Sequence, residues 1–167
     1  MELWDAYYAD GTKAGRDLVR GEKVPEGLYH IVSEVLLKHK DGQFLIMQRD
    51  LKKETFPGYF EATAVGSALK GEDGLACGRR ELREETGIVE DEMEKVAGYV
   101  YNDVIICNYV CVTDCAKDAV KLQEGETISY KWLSEEEFIE FVNSGKMIPE
   151  QQWHWQAYFT RMGYLRK

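Results

Sequence analysis

The sequence predicts an α/β (α+β) fold: a β-sheet with one helix inserted midway along the chain and helices at its end. Three observations predict it. Runs rich in β-branched and aromatic residues recur between Gly, Asp and Asn turns over residues 3–65 and again over 95–133. A single stretch, 66–88, carries charged and apolar residues at helical spacing. Two segments after Ser134 carry helix-start signals. The 167 residues read as one domain, 1–167, long enough to bury a substantial core, with no repeat, low-complexity tract or Pro/Ser-rich linker.

Taken in order, residues 3–20 predict a hairpin turning at Asp10-Gly11. After Pro25 and Gly27, LYHIVSEVLLKH predicts a strand, and a Lys40-Asp41-Gly42 turn returns the chain as QFLIMQR, a second hairpin. YFEATAV predicts one further strand leading into the acidic loop and the central helix. Residues 95–113 predict one or two strands with a break at Asn102-Asp103, and ISYKWL predicts the last. Ser134 and Glu137 form a capping box for a helix over about 134–144, closed by Gly145. Pro149 opens a final helix over about 149–163 bearing Trp153, Trp155, Tyr158, Phe159 and Met162. The aromatic face of that helix suits core packing or a dimer contact better than stacking on a base.

Composition narrows the partners. Against 21 Lys+Arg stand 30 Asp+Glu, a formal net charge of -9, and no basic stripe breaks the acidity, which argues against duplex nucleic acid. An acidic protein that handles phosphates needs divalent cations to mediate the contact. The start MELWDAYYAD lacks the basic and apolar regions of a secretory signal, and no apolar run approaches a membrane span, so a cytoplasmic location is expected. Cys77, Cys107, Cys111 and Cys115 are then reduced thiols. CNYVCVTDC lacks the paired arms and histidines of a zinc site, and Cys107 and Cys111 share a strand face as small buried hydrophobes.

The central segment carries the chemistry. Glu72, Asp73, Glu81, Glu84 and Glu85 surround one short helix, and Glu81, Glu84 and Glu85 stand at i, i+3 and i+4. That spacing stacks like charges on one face, at a cost of about a few tenths of a kcal/mol per pair. Two readings fit the charges alone: a cation site, or a solvated acidic face. Glycines at 66, 71 and 74 before the helix and at 87 after it favour the first, because they fix the helix between tight turns and let backbone carbonyls approach an ion.

The stretch GSALKGEDGLACGRRELREETGI resembles the signature of the Nudix hydrolases, with Gly66, Glu72, Arg80, Glu81, Leu82, Glu84, Glu85, Gly87 and Ile88 filling every fixed position. The resemblance implies an α/β/α sandwich around a mixed sheet, with Leu75 and Leu82 packing the signature helix against it. It implies Mg²⁺, with Mn²⁺ as a substitute, held by Glu81, Glu84, Glu85 and the Gly66 carbonyl, and attack on a diphosphate by an activated water. Arg80, four residues before Glu84, would brace that carboxylate, and Glu72 would tie the loop to the helix. Many such enzymes recruit another glutamate as ligand or general base from a loop before the last strand. Glu124 and Glu126 lie there and would share a direction if the segment is extended; a solvated acidic loop fits equally. Arg49 fits either a phosphate contact or an exposed strand-end arginine. The segment Lys52 to Pro57, with Phe56, and the Asn102-Asp103 turn are the expected sources of selectivity.

The N-terminal third also resembles isopentenyl diphosphate isomerase in its hairpin, its Pro25-to-His30 run and its glutamates before Tyr130-Lys131-Trp132. Three departures stand against that activity: Val65 replaces the catalytic cysteine, Lys23 and Ser67 replace metal-binding histidines, and the Arg-Glu-x-x-Glu-Glu core is intact. His30 itself is expected to be a strand histidine satisfied by a backbone carbonyl. The expected function is a Mg²⁺-dependent pyrophosphohydrolase of a nucleoside diphosphate linked to another moiety, acting on a small molecule, with homodimerisation expected from the family. An isomerase and a non-catalytic nucleotide-binding module remain the alternatives.

Overall fold

The computed structural model describes residues 1–167. Nine strands and four helices run β1 (Leu3–Tyr7), β2 (Lys13–Val19), β3 (His30–His39), β4 (Phe44–Arg49), β5 (Phe60–Ala62), β6 (Ala64–Ser67), α1 (Gly74–Thr86), β7 (Met93–Tyr101), β8 (Val104–Thr113), β9 (Thr127–Leu133), α2 (Glu135–Asn143), α3 (Pro149–His154) and α4 (Gln156–Met162). No helix is long and apolar enough to cross a membrane.

A seven-stranded mixed sheet forms the middle layer. β3 pairs with β8 in parallel along its whole length, from His30↔Val104 to His39↔Thr113, and β7 returns antiparallel on the outer edge of β8. Alternation along β3 splits the core in two. Val35 and Leu37 face α1 through Cys77 and Leu82, while Leu36 faces the opposite side, where Phe138, Trp155 and Phe159 pack with Phe44. The α/β/α layering implied by the resemblance is therefore present.

The other edge of β3 departs from the simple hairpin expected. The turn at Asp41-Gly42 forms, but the β3–β4 ladder holds only Lys38↔Phe44 before the strands separate. The run YFEATAV is not one strand. It fills the gap as two: β5 pairs with β4 through Ile46↔Ala62, and β6 pairs with β3 through Val35↔Ala64. Thr63 stands at the fork, its hydroxyl accepting from Leu37 N at 2.8 Å and donating to Leu45 O at 2.8 Å. One hydroxyl thus satisfies a backbone group on each diverging strand, which a buried backbone requires. The fork aims β6, and Gly66 with it, at the signature helix.

The helix ends follow their caps. Asp73 accepts from Ala76 N at 2.8 Å at the start of α1, and Gly87 closes it at φ 72, a left-handed position that disfavours any side chain. The capping box of Ser134 and Glu137 starts α2. The single final helix expected from the sequence is instead two short ones, broken at Trp155. The two pieces are anchored differently. α3 is held by polar side chains, Gln151 to Ala62 N at 2.7 Å and His154 to Glu34 at 2.6 Å, whereas α4 docks through Tyr158 and Phe159.

The N-terminal hairpin forms its own two-stranded sheet and leans on the loop before α1, through Lys70 N to Leu3 O at 2.8 Å and Gly71 N to Asp5 at 2.9 Å. His30 is not satisfied by a carbonyl as expected. Its Nδ1 is buried without a partner and its ring stacks on Trp4 at 4.0 Å, a packing role in which burial lowers its pKa. All four cysteines are free, and Cys77, Cys107 and Cys111 are buried.

Candidate active site

Helix α1 and strand β6 meet at a polar cleft of about 200 Å³. Gly66, Arg80, Glu81, Glu84, Glu85 and Glu126 all line it. Helical spacing alone brings the three α1 glutamates to one side, and the β3–β4 fork brings Gly66 up against them. The approach is close: a Cβ added at Gly66 would stand 2.0 Å from Glu81 Oε1. Only glycine leaves room for that carboxylate.

Arg80 is the organising cation. Its Nε and Nη2 donate to the two Glu72 oxygens at 2.8 and 3.0 Å, a bidentate pair. Its Nη1 donates to Glu81 at 2.6 Å and to Glu84 at 3.1 Å, and Nη2 also reaches Ser67 O at 3.0 Å. The expected Arg80–Glu84 contact is present but is the weakest of these. Glu72 accepts from Leu69 N at 2.9 Å as well, so it joins the loop to the helix. Burial alone would raise the Glu72 carboxyl, but the Arg80 and Leu69 bonds outweigh it and hold it below the usual range.

Electrostatic strain grows toward the inner end. Burial lifts the Glu81 carboxyl above its usual range even with Arg80 opposing. Glu85, only 7 % exposed, is lifted well above it, first by burial and then by the neighbouring charges of Glu61, Glu81 and Glu126. Its Oε2 has no hydrogen-bond partner. A buried carboxylate oxygen without a donor is costly, and a cation removes that cost. The all-oxygen donor set suits a hard divalent ion. No three of these side chains form a ready-made cage in the present arrangement, because the Arg80 guanidinium holds Glu81 and Glu84. The residues fit a divalent cation in donor chemistry and in the space kept at Gly66.

The remaining candidates scatter. Glu124 and Glu126 do not point the same way: residues 124–126 form a turn with Gly125 at φ 79, which leaves Glu124 exposed outside the cleft. Glu126 lines the cleft and pairs with Lys53. Arg49 is neither in the cleft nor an exposed strand end. It is 14 % exposed, pairs with Glu61 at 3.2 Å and donates to Thr55 O at 3.0 Å. Arg49, Phe56, Asn102 and Asp103 line a second cavity beyond Val65. Trp155 is core, whereas Trp153 is 48 % exposed and lies edge-on to Tyr99 at 5.2 Å.

Two groups escaped the sequence reading. Glu61 on β5 is 4 % exposed and its carboxyl is pushed up to about 7 by burial, against the pull of Arg49. A lone acid inside the apolar run YFEATAV was the available signal. Glu34 pairs with His154 across 120 positions, a contact with no local signature.

With this geometry in place, the comparisons with known proteins are unambiguous at the level of family. Residues 28–158 match the NUDIX domain, and the chain belongs to the Nudix hydrolases, enzymes that act on diphosphate bonds of small molecules. It is 34 % identical over 151 residues to the uncharacterized Nudix hydrolase lmo0368 of Listeria monocytogenes, covering 89 % of each chain. Among solved structures, DR0079 from Deinococcus radiodurans superposes with a TM-score of 0.73 at 20 % identity, covering 98 % of this chain and 100 % of that one. A MutT protein from Methanosarcina mazei superposes with a TM-score of 0.61 at 24 % identity, covering 81 % and 95 %. At these identities the two structures speak for the fold.

Proposed function

We propose that the protein is a Mg²⁺-dependent pyrophosphohydrolase that splits a nucleoside diphosphate joined to another moiety, releasing a monophosphate. One observation carries this reading: Glu81, Glu84, Glu85 and Glu126 converge with Gly66 on a single cleft in which a buried Glu85 oxygen lacks any donor. Glu81, Glu84, Glu85 and Glu126, with the Gly66 carbonyl, would hold the cation. When bound, Mg²⁺ or Mn²⁺ supplies charge neutralisation to the diphosphate and acidifies a water.

The chain's own residues do the rest. Arg80 holds Glu81 and Glu84 in register on the cleft wall, and Glu72 holds Arg80. Glu126, at the end of the turn over residues 124–126, serves as a further ligand or takes the proton released by the attacking water. Water adds to one phosphorus, the bridging P–O bond breaks, and the second phosphate leaves with its substituent. In this reading the alternative isomerase chemistry lacks a thiol, since Val65 stands where one is needed. The complete carboxylate set argues against a non-catalytic module.

The deciding experiment is the release of monophosphate products, resolved by chromatography, across dinucleoside polyphosphates, nucleotide sugars, ADP-ribose, nucleoside triphosphates and isoprenoid diphosphates with Mg²⁺ and Mn²⁺, repeated with Glu84→Gln and Glu85→Gln. Both variants should stay folded and lose turnover. Near-wild-type turnover in both defeats the assignment.

A further inference from the structure

The second cavity, of about 410 Å³, shares only the Val65 wall with the carboxylate cleft and is of a size that holds a small organic group. Its floor is a buried polar cluster. Glu34 on β3, 2 % exposed, accepts from Asn108 Nδ2 at 3.0 Å and shares a hydrogen with His154 Nδ1 at 2.6 Å. Beside it, on the cavity lining, His154 Nε2 is buried without a partner within the chain. Native interiors rarely leave such a group unpaired, so an unpartnered imidazole nitrogen in the lining of a cavity points to a partner from outside the chain.

The lining says which chemistry that partner has. Glu34, Glu61, Asp103 and Glu150 face the cavity, against Arg49 and His154, and Arg49 is already paired with Glu61. A second anionic group would meet carboxylates there. Hydroxyl groups both donate and accept, and so satisfy carboxylate, imidazole and amide side chains alike. Phe56, Val65 and Ile106 add apolar wall for the face of a ring.

We propose that this cavity takes the organic end of the diphosphate substrate, and that Glu34 and His154 on its floor select a neutral, hydroxyl-rich group such as a sugar ring over an anionic one. The proposal rests on the assignment of the adjoining cleft as the diphosphate-cleaving site.

The test compares three compounds that share one nucleoside: UDP-glucose, UDP-glucuronate, which differs by a carboxylate on the sugar, and the methyl ester of UDP, which has no group to fill the cavity. Wild-type enzyme should favour UDP-glucose over UDP-glucuronate by at least about tenfold in kcat/KM. His154→Gln and the near-isosteric Glu34→Gln should shrink that ratio through KM, with folding checked by circular dichroism. Calorimetric binding of the two sugars to Glu85→Gln repeats the comparison without turnover. Equal binding of the two, or a preference that survives in both variants, overturns the cavity assignment. Wild-type enzyme that cleaves none of the three compounds while the binding preference persists overturns the cleft assignment alone.

Discussion

The two cavities on either side of Val65 are built in opposite ways. The carboxylate cleft draws three of its glutamates, Glu81, Glu84 and Glu85, from one helix, and its bracing cation, Arg80, lies within eight positions of Glu72, Glu81 and Glu84. The second cavity draws on β3, the loop after β4, β5, the β7–β8 turn and α3, and its central contact joins Glu34 to His154 across 120 positions. Under the proposed function the reacting groups follow helical spacing, whereas the second cavity is assembled by sheet topology. The first still needs the β3–β4 fork to bring Gly66 up to the helix. The second is not sealed off from it, since Lys53 in the loop after β4 pairs with Glu126.

That contrast can be broken from the cleft side first. Glu85→Gln should lower turnover by about 10²–10³-fold on every diphosphate substrate, the scale of losing one charge-stabilising group. Its metal-free stability should hold or rise, because a buried, donorless carboxyl has been replaced by a neutral amide; a drop in both activity and melting temperature would recast Glu85 as structural. Gly66→Ala comes next. Its Cβ would overlap the Glu81 carboxylate, so Glu81 must move, and activity and metal affinity should fall by about 10–100-fold. Calorimetric titration with Mn²⁺ checks the affinity.

Glu61 lines the second cavity, its charge acts on Glu85 in the cleft, and it gives a pH test. Its folded-state carboxyl sits at about 7 against an ordinary 4.5, raised by burial. A raised folded pKa contributes stability that is full below pH 4.5 and is lost as pH rises through about 7. Between those values, Glu61→Gln should flatten the decline of melting temperature that the wild type shows in chelator. An unchanged slope would mean that Arg49 keeps Glu61 ionised. The smallest effect belongs outside both cavities: Trp153→Ala loses an exposed aromatic contact with Tyr99, worth about 1 kcal/mol in chemical denaturation, and should leave activity intact.

Legibility followed sequence distance. The turn at Asp41-Gly42, the break at Asn102-Asp103, the Ser134 capping box and the left-handed Gly87 were readable because each depends on a few adjacent residues. The fork at Thr63 was not, because nothing in YFEATAV states that its halves pair with different strands. The break at Trp155 was hidden for the same reason: a helical pattern says nothing of the separate anchors, Glu34 for α3 and the aromatic core for α4. Glu124 and Glu126 were placed together on the premise of an extended segment, and Gly125 in a left-handed turn separates them.

By itself, then, the sequence determined the α/β (α+β) class and the carboxylate helix, which rest on period and fixed local spacing, and through the signature the family, whose resemblance implied the layering. Tertiary structure decided that Glu126 rather than Glu124 reaches the cleft, that Arg49 serves Glu61, and that a cavity floored by Glu34 and His154 adjoins the signature. The physical reason is that burial and charge coupling arise only when distant strands are brought into register. A carboxylate's neighbours, and hence its proton affinity and its use, do not exist until the sheet does.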